Sequence, residues 1–117
     1  MGQLTGRRIL VVEDEPLIAM TIVDMIADLG GSCAVAPSVA AALALIAVET
    51  FDAAVLDLNL NGETSVPVGA LLRESGIPFA YATGYGGSAA DTAAAPVLAK
   101  PYVQEDLARA LLGLLGA

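Results

Sequence analysis

Ala53-Ala54-Val55-Leu56-Asp57 is a short apolar run that ends abruptly in a carboxylate. Three other runs end in the same way. Ile9-Leu10-Val11-Val12 stops at Glu13-Asp14, Phe79-Ala80-Tyr81-Ala82 at Thr83, and Val97-Leu98-Ala99 at Lys100-Pro101. Continuous apolar runs of this length read as parallel strands buried on both faces. In open α/β sheets the chemistry collects outside the carboxyl ends of such strands. Acids, a hydroxyl and an ammonium from four strands are therefore expected in one crevice. That set suits a divalent cation and a phosphoryl group held on Asp57.

Helical patterns separate the runs. After a strand over Arg8–Glu13, a helix is expected from Pro16 to Leu29, with Ile18, Ile22, Met25, Ile26 and Leu29 facing inward. Pro16 suits a first turn, and Gly30-Gly31 stop the helix. A strand over Cys33–Ala36 follows, then a helix capped by Ser38 and running to Glu49, with Val39, Leu43 and Ile46 inward. Beyond Asp57 the segment Leu58–Pro67 reads as a polar loop, leading to a helix over Val68–Ser75 and a strand over Pro78–Thr83. Gly84–Ala95 is rich in Gly and Ala and offers almost no large side chain to anchor a helix. A fourth helix there is expected to be short or irregular, and the segment mobile and state-dependent, with Tyr85 as its reporter ring. The last strand, Val97–Ala99, precedes a helix over Val103–Leu115 with Leu107, Leu111 and Leu114 inward. Strands alternating with helices imply right-handed βαβ units in one parallel sheet. Residues 1–7 read as an N-terminal extension and 8–117 as a single domain.

Composition narrows the function. At 117 residues and 56% hydrophobic, with two Phe and no Trp, the chain builds its core from Ala, Leu, Val and Ile. No apolar stretch approaches the roughly 18 residues of a membrane span, and no secretory signal opens the chain. A cytoplasmic protein is expected. The net charge of −8, from five basic and thirteen acidic residues, argues against direct nucleic-acid binding. A chain without histidine cannot supply Ser-His-Asp or Cys-His catalysis or His-ligated zinc. Cys33 is expected to be a small buried hydrophobe.

Glu13 and Asp14 taken alone suit a solvated helix start. Beside Asp57 they become a cluster. Two like charges about 4 Å apart repel by about 4 kcal/mol at an effective dielectric of about 20. Such a cluster raises a pKa or binds a cation, and oxygen-only donors favour Mg²⁺ or Mn²⁺. A carboxylate also attacks phosphorus to form an aspartyl phosphate. The Thr83 hydroxyl could donate to a phosphoryl oxygen, and the Lys100 ammonium could pair with Asp57 and then with the phosphate.

With Glu13-Asp14, Asp57, Thr83 and Lys100-Pro101 in place, nearly the whole chain resembles a receiver domain of a two-component response regulator. The resemblance implies a flavodoxin-like (βα)5 fold, doubly wound, with a five-stranded parallel sheet in the order 2-1-3-4-5. It implies Asp57 as phosphoacceptor, with Thr83 and Lys100 completing the catalytic set. Asp14 and Asp57 would ligate Mg²⁺ with the backbone carbonyl of Asn59, and Glu13 would act through a metal-bound water. The donor would be a phosphohistidine on a histidine kinase or a histidine phosphotransfer protein. Output would pass by protein contact, to a downstream protein target, or by onward phosphotransfer. Receivers commonly carry Tyr or Phe three residues before the lysine, where this chain has Val97. Tyr81-Ala82-Thr83-Gly84-Tyr85-Gly86 resembles instead the Phe-Ala-Thr-Gly signature of the atypical "FAT GUY" receivers. A partner carrying the donor histidine must sit over the crevice, which makes Pro16, Leu17, Met20, Pro101 and Tyr102 candidate contacts.

Three rival readings are weaker. A haloacid-dehalogenase-type phosphatase expects an acid two residues after its nucleophile, where Asn59 stands. A pseudo-receiver that never carries phosphate has no need of the full residue set. A flavodoxin-type cofactor binder would place Glu13-Asp14-Glu15 against a phosphate, where they would repel it.

Overall fold

The apolar runs form the strands that their composition demands. The computed structural model describes residues 2–83, 97–99 and 103–116, and for Thr83 and Ala99 the backbone course only. The main strands are β1 (Arg8–Val12), β2 (Ser32–Ala36), β3 (Ala53–Asp57), β6 (Phe79–Thr83) and β7 (Val97–Ala99). They pair in parallel in the order β2-β1-β3-β6-β7, which is 2-1-3-4-5 when only these five are counted. Among the described residues, four helices flank them: α1 (Pro16–Asp28), α2 (Val39–Val48), α3 (Val66–Glu74) and α4 (Gln104–Leu114). Among the described residues, no helix is long and apolar enough to cross a membrane.

Alternate residues of each strand face opposite sides, so the sheet divides the core in two. Leu10, Val12, Ala54, Leu56, Phe79 and Tyr81 pack toward α2 and α3 through Ala42, Ile46, Val68 and Leu72. Ile9, Val11, Ala53, Val55 and Ala82 pack toward α1 and α4 through Ile22, Ile26, Leu107 and Leu111. Each fully buried Leu, Ile or Val contributes about 1.5–3 kcal/mol. The central strands are rich in small side chains, with Ala53, Ala54, Ala80 and Ala82 all buried.

Local signals set the ends of the helices. The Ser38 Oγ accepts from the Ala41 N–H at 3.1 Å, the cap expected for α2. Gly30, at φ +89°, closes α1, and a Cβ there would lie 2.6 Å from Thr5 Oγ1. That closeness arises because the N-terminal turn packs onto the α1–β2 corner. The Leu4 N–H donates to the Leu29 carbonyl at 2.7 Å, and the Leu4 side chain is fully buried. Cys33 is partly buried beside the α1 and α4 core. Loss of solvation pushes its thiol up to about 11 against a smaller lowering by Arg8, so it is a weak nucleophile at neutral pH.

Two expectations need correction. Ile18 is 38% exposed and does not face the core, because the buried stripe of α1 runs through Ala19, Ile22 and Ile26 and Ile18 lies at its margin. The segment Leu58–Pro67 is not a plain polar loop. It contains a small antiparallel hairpin of β4 (Asn59–Leu60) and β5 (Glu63–Thr64), and α3 already begins at Val66. Leu60, which is 1% exposed, pins the hairpin into the α3 side of the core. The segment 84–96, including Tyr85 and the expected irregular fourth helix, lies outside the described residues.

Gly69 in α3 is required by its neighbours. A Cβ there would sit 2.6 Å from Tyr81 Oη and 3.0 Å from the Phe79 ring. These rings meet edge to face with centroids 5.4 Å apart and fill the space beneath the helix. Helix propensity favours Gly69→Ala by about 1 kcal/mol, while overpacking costs about 1–3 kcal/mol. The clash should win. Urea unfolding is expected to show Gly69→Ala destabilised, with part of the loss recovered when Tyr81→Phe is added; a gain in stability would contradict this packing.

Candidate functional site

Strand register brings the acids together. Val12 pairs with Leu56 across β1 and β3, so the residues that follow, Glu13 and Asp57, leave the sheet side by side. The Glu13 N–H donates to the Ala36 carbonyl at 3.0 Å, and the Leu58 N–H to the Ala82 carbonyl at 3.0 Å. These bonds extend the ladder on either side and hold both backbones at the sheet edge. Glu13 is 2% exposed, and its carboxylate accepts from the Glu15 N–H at 3.2 Å at the start of α1. Asp14 and Asp57 are partly buried.

Glu13, Asp14 and Asp57 each offer a carboxylate oxygen, and the three oxygens lie within 4.8 Å of one another. The arginines are engaged elsewhere. Arg8 pairs with Glu49 at 2.5 Å, Arg7 lies 3.8 Å from Asp52, Arg73 stacks over Phe79, and Arg109 pairs with Glu105 and Asp106. Chemically, a cluster of hard oxygen donors with water access suits a small divalent cation.

Asn59 stands next to this cluster. Its N–H donates to Asp57 Oδ1 at 3.3 Å, and its own Oδ1 accepts from the Gly62 N–H at 3.0 Å. Thr83 ends β6, the strand beside β3, and pairs with Ala99, the residue that precedes Lys100 in sequence. The Thr83 side chain and all of Lys100, Pro101 and Tyr102 lie outside the described residues. Beside the acids, Pro16, Ala19, Met20, Val23 and Val35 line a mainly apolar groove of about 470 Å³. Leu17 and Met20 are exposed at 77% and 62%, so neither is a core residue. The hairpin that carries Asn59 is the element the sequence reading missed. Its signal was the dipeptide Asn61-Gly62, among the strongest short-range hairpin cues.

The response regulator receiver domain family matches residues 9–112, and the chain belongs to that family. It is similar to SdrG from Sphingomonas melonis Fr1, whose solution structure is 43% identical. The match covers 98% of this chain and 99% of that one, with a TM-score of 0.77. The receiver domain of the sensor histidine kinase PA1611 from Pseudomonas aeruginosa PAO1 was solved with a magnesium ion in its active site cleft. It is 24% identical over 97% of this chain and 100% of that one, with a TM-score of 0.84. The response regulator TrrA from Thermotoga maritima, solved in complex with Mg(2+)-BeF, is 24% identical over 93% of this chain and 99% of that one, with a TM-score of 0.85. The last two likenesses attest the fold. No match was found among curated proteins.

Three carboxylates this close oppose one another when no cation is bound. Repulsion at this range is between about 1 kcal/mol in water and about 4 kcal/mol at an effective dielectric of about 20. Asp14 and Asp57 are partly exposed, which puts the repulsion on Asp14 near the lower figure. In EDTA, Asp14→Asn is expected to unfold at higher urea than the wild type, by about 1 kcal/mol. A loss of stability would mean that Asp14 makes a net favourable contact in the cation-free fold.

Proposed function

We propose that this chain is a phosphoacceptor receiver that takes a phosphoryl group on Asp57 from a phosphohistidine partner. The observation that carries the reading is the convergence of Glu13, Asp14 and Asp57 within 4.8 Å at adjacent strand ends. Asp14 and Asp57 would hold Mg²⁺ or Mn²⁺ through carboxylate oxygens, the Asn59 carbonyl would complete the protein ligands, and Glu13 would act through a water. When bound, the cation supplies charge that offsets the carboxylates and the transferring phosphoryl oxygens. That PA1611 and TrrA were solved with magnesium in receiver folds supports the assignment.

In the transfer, an Asp57 oxygen attacks phosphorus in line as the nitrogen–phosphorus bond of the donor imidazole breaks. The imidazole leaves with the bonding pair and takes a proton from solvent. Thr83 would donate its hydroxyl to a phosphoryl oxygen, and Lys100 would place its ammonium on another. The donor is a histidine kinase or a histidine phosphotransfer protein in the cytoplasm. The state of Asp57 then passes on by protein contact or by further phosphotransfer. The narrower "FAT GUY" assignment rests on the sequence from Tyr81 to Gly86.

Incubation with a small-molecule phosphodonor and Mg²⁺, followed by intact mass, tests the reading. The phosphate adduct is expected on the wild type, absent in EDTA and absent from Asp57→Asn. An adduct persisting in Asp57→Asn would move the acceptor elsewhere, and no adduct on the wild type would favour a pseudo-receiver.

The exposed Leu17 and Met20 and the apolar groove beside them support a docking face at the start of α1. Leu17→Glu is expected to slow transfer from a cognate phosphohistidine donor about tenfold or more, as a central apolar contact is worth about 1–2 kcal/mol. Uptake from the small-molecule donor should stay unchanged. Equal transfer rates from the protein donor would remove this face from the interface.

A further inference from the structure

The hairpin after Asp57 has a handedness that only a few residues tolerate. Asn61 has φ +53° and Gly62 has φ +87°. Two successive positive values define a type I′ turn, for which Asn-Gly is the favoured pair. The flanking residues pair as Leu60 with Glu63 and Asn59 with Thr64. In an antiparallel ladder, hydrogen-bonded and non-hydrogen-bonded pairs alternate, and the pair closing a two-residue turn is of the bonded kind. Leu58 and Ser65 are bonded as well, through Ser65 N–H to the Leu58 carbonyl at 3.0 Å. Asn59–Thr64, between them, is therefore a non-hydrogen-bonded pair.

The N–H and carbonyl of a strand residue in such a pair both point away from the partner strand. For Asn59 that outward side is the side of Asp57, because its N–H reaches Asp57 Oδ1 at 3.3 Å. Its carbonyl thus faces the carboxylate crevice. A slip of one residue would reverse this and turn the Asn59 peptide groups toward Thr64. Three contacts oppose the slip: Leu60 in the core, fully buried Ser65, and the Asn59 Oδ1 bond to the Gly62 N–H.

We infer that the Asn61-Gly62 turn is a positioning device for the cation site: its left-handed backbone fixes the hairpin register that aims the Asn59 carbonyl at the crevice. The inference rests on the proposed phosphoacceptor reading. It makes Gly62 and Asn61 positioning residues although neither offers a ligand atom.

The test separates backbone handedness from stability. A Cβ on Gly62 or on Gly76 would meet nothing within 4 Å, and both glycines have positive φ, +87° and +74°. A β-branched residue at positive φ is strongly disfavoured, so Gly62→Val and Gly76→Val carry matched strain at different places. Mg²⁺ is titrated into metal-free protein and followed by backbone amide shifts, with melting measured in EDTA. The wild type and Gly76→Val are expected to bind alike, while Gly62→Val binds about tenfold more weakly, the scale typical of groups that orient metal ligands. Both valine variants should lose similar melting temperature. Unchanged binding in Gly62→Val, or equal weakening in Gly76→Val, overturns the inference and leaves the phosphoacceptor reading standing. No Mg²⁺ binding by the wild type overturns both. Should Gly62→Val not fold, Gly62→Ala against Gly76→Ala, which strain the same positive φ more mildly and add a Cβ that meets nothing within 4 Å, decides by the same comparison.

Discussion

The parallel register of β1 against β3 is the constraint on which the rest depends. Both faces of these strands are buried, so a shift of one residue would exchange the side chains packed on the two helix layers. Val12 opposite Leu56 is thus fixed twice, once by each core. The meeting of Glu13 with Asp57 is a by-product of that fixed register. Repulsion among the acids, of the order of 1 kcal/mol each at partial exposure, is small beside the apolar burial that holds the strands. The core therefore dictates the site, and not the reverse.

Charge is sorted along the sheet axis. At the amino ends of the strands, the Arg8 N–H donates to Asp52 Oδ2 at 2.7 Å, and its side chain pairs with Glu49 and crosses over the Phe51 ring. Arg7 adds a looser pair to Asp52. At the carboxyl ends sits the carboxylate trio. Among the described residues, cations paired at one end and carboxylates crowded at the other make a field that draws positive ions toward the crevice. Loops after strands are where function is usually carried, and this polarity gives that placement an electrostatic cause.

Much of this was legible in the residues. β1 stops at Val12, β3 at Asp57 and β6 at Thr83, each within a residue of where its apolar run gives way to a polar side chain. Ser38 capped α2 as its hydroxyl suggests. The hairpin was not legible from composition, since Asn59, Asn61, Gly62 and Glu63 look like an ordinary polar loop. The informative signals were local: an Asn-Gly pair, and one Leu among polar neighbours that ends up buried. Ile18 misled because an Ile one position off the buried stripe fits helical spacing nearly as well, and the small Ala19 completes that stripe instead. The resemblance named the Asn59 carbonyl, but the physical ground for its direction, the alternation of hydrogen-bonded pairs, could not be read from the residues alone.

The alanines at the middle of the sheet have a consequence for how this domain tolerates change. Ala53, Ala54, Ala80 and Ala82 leave the helices close to the strands, and truncation there can remove no more than a methyl group. Added volume, by contrast, has nowhere to go. The helices are the opposite case: Ile22, Ile26, Leu72, Leu107 and Leu111 fill the layers, and trimming one opens a cavity costing about 2–5 kcal/mol. Substitutions will thus be filtered by opposite rules in the two layers. The strands reject growth and the helices reject loss, which leaves exposed positions away from the carboxylate site as the ground on which sequence can drift.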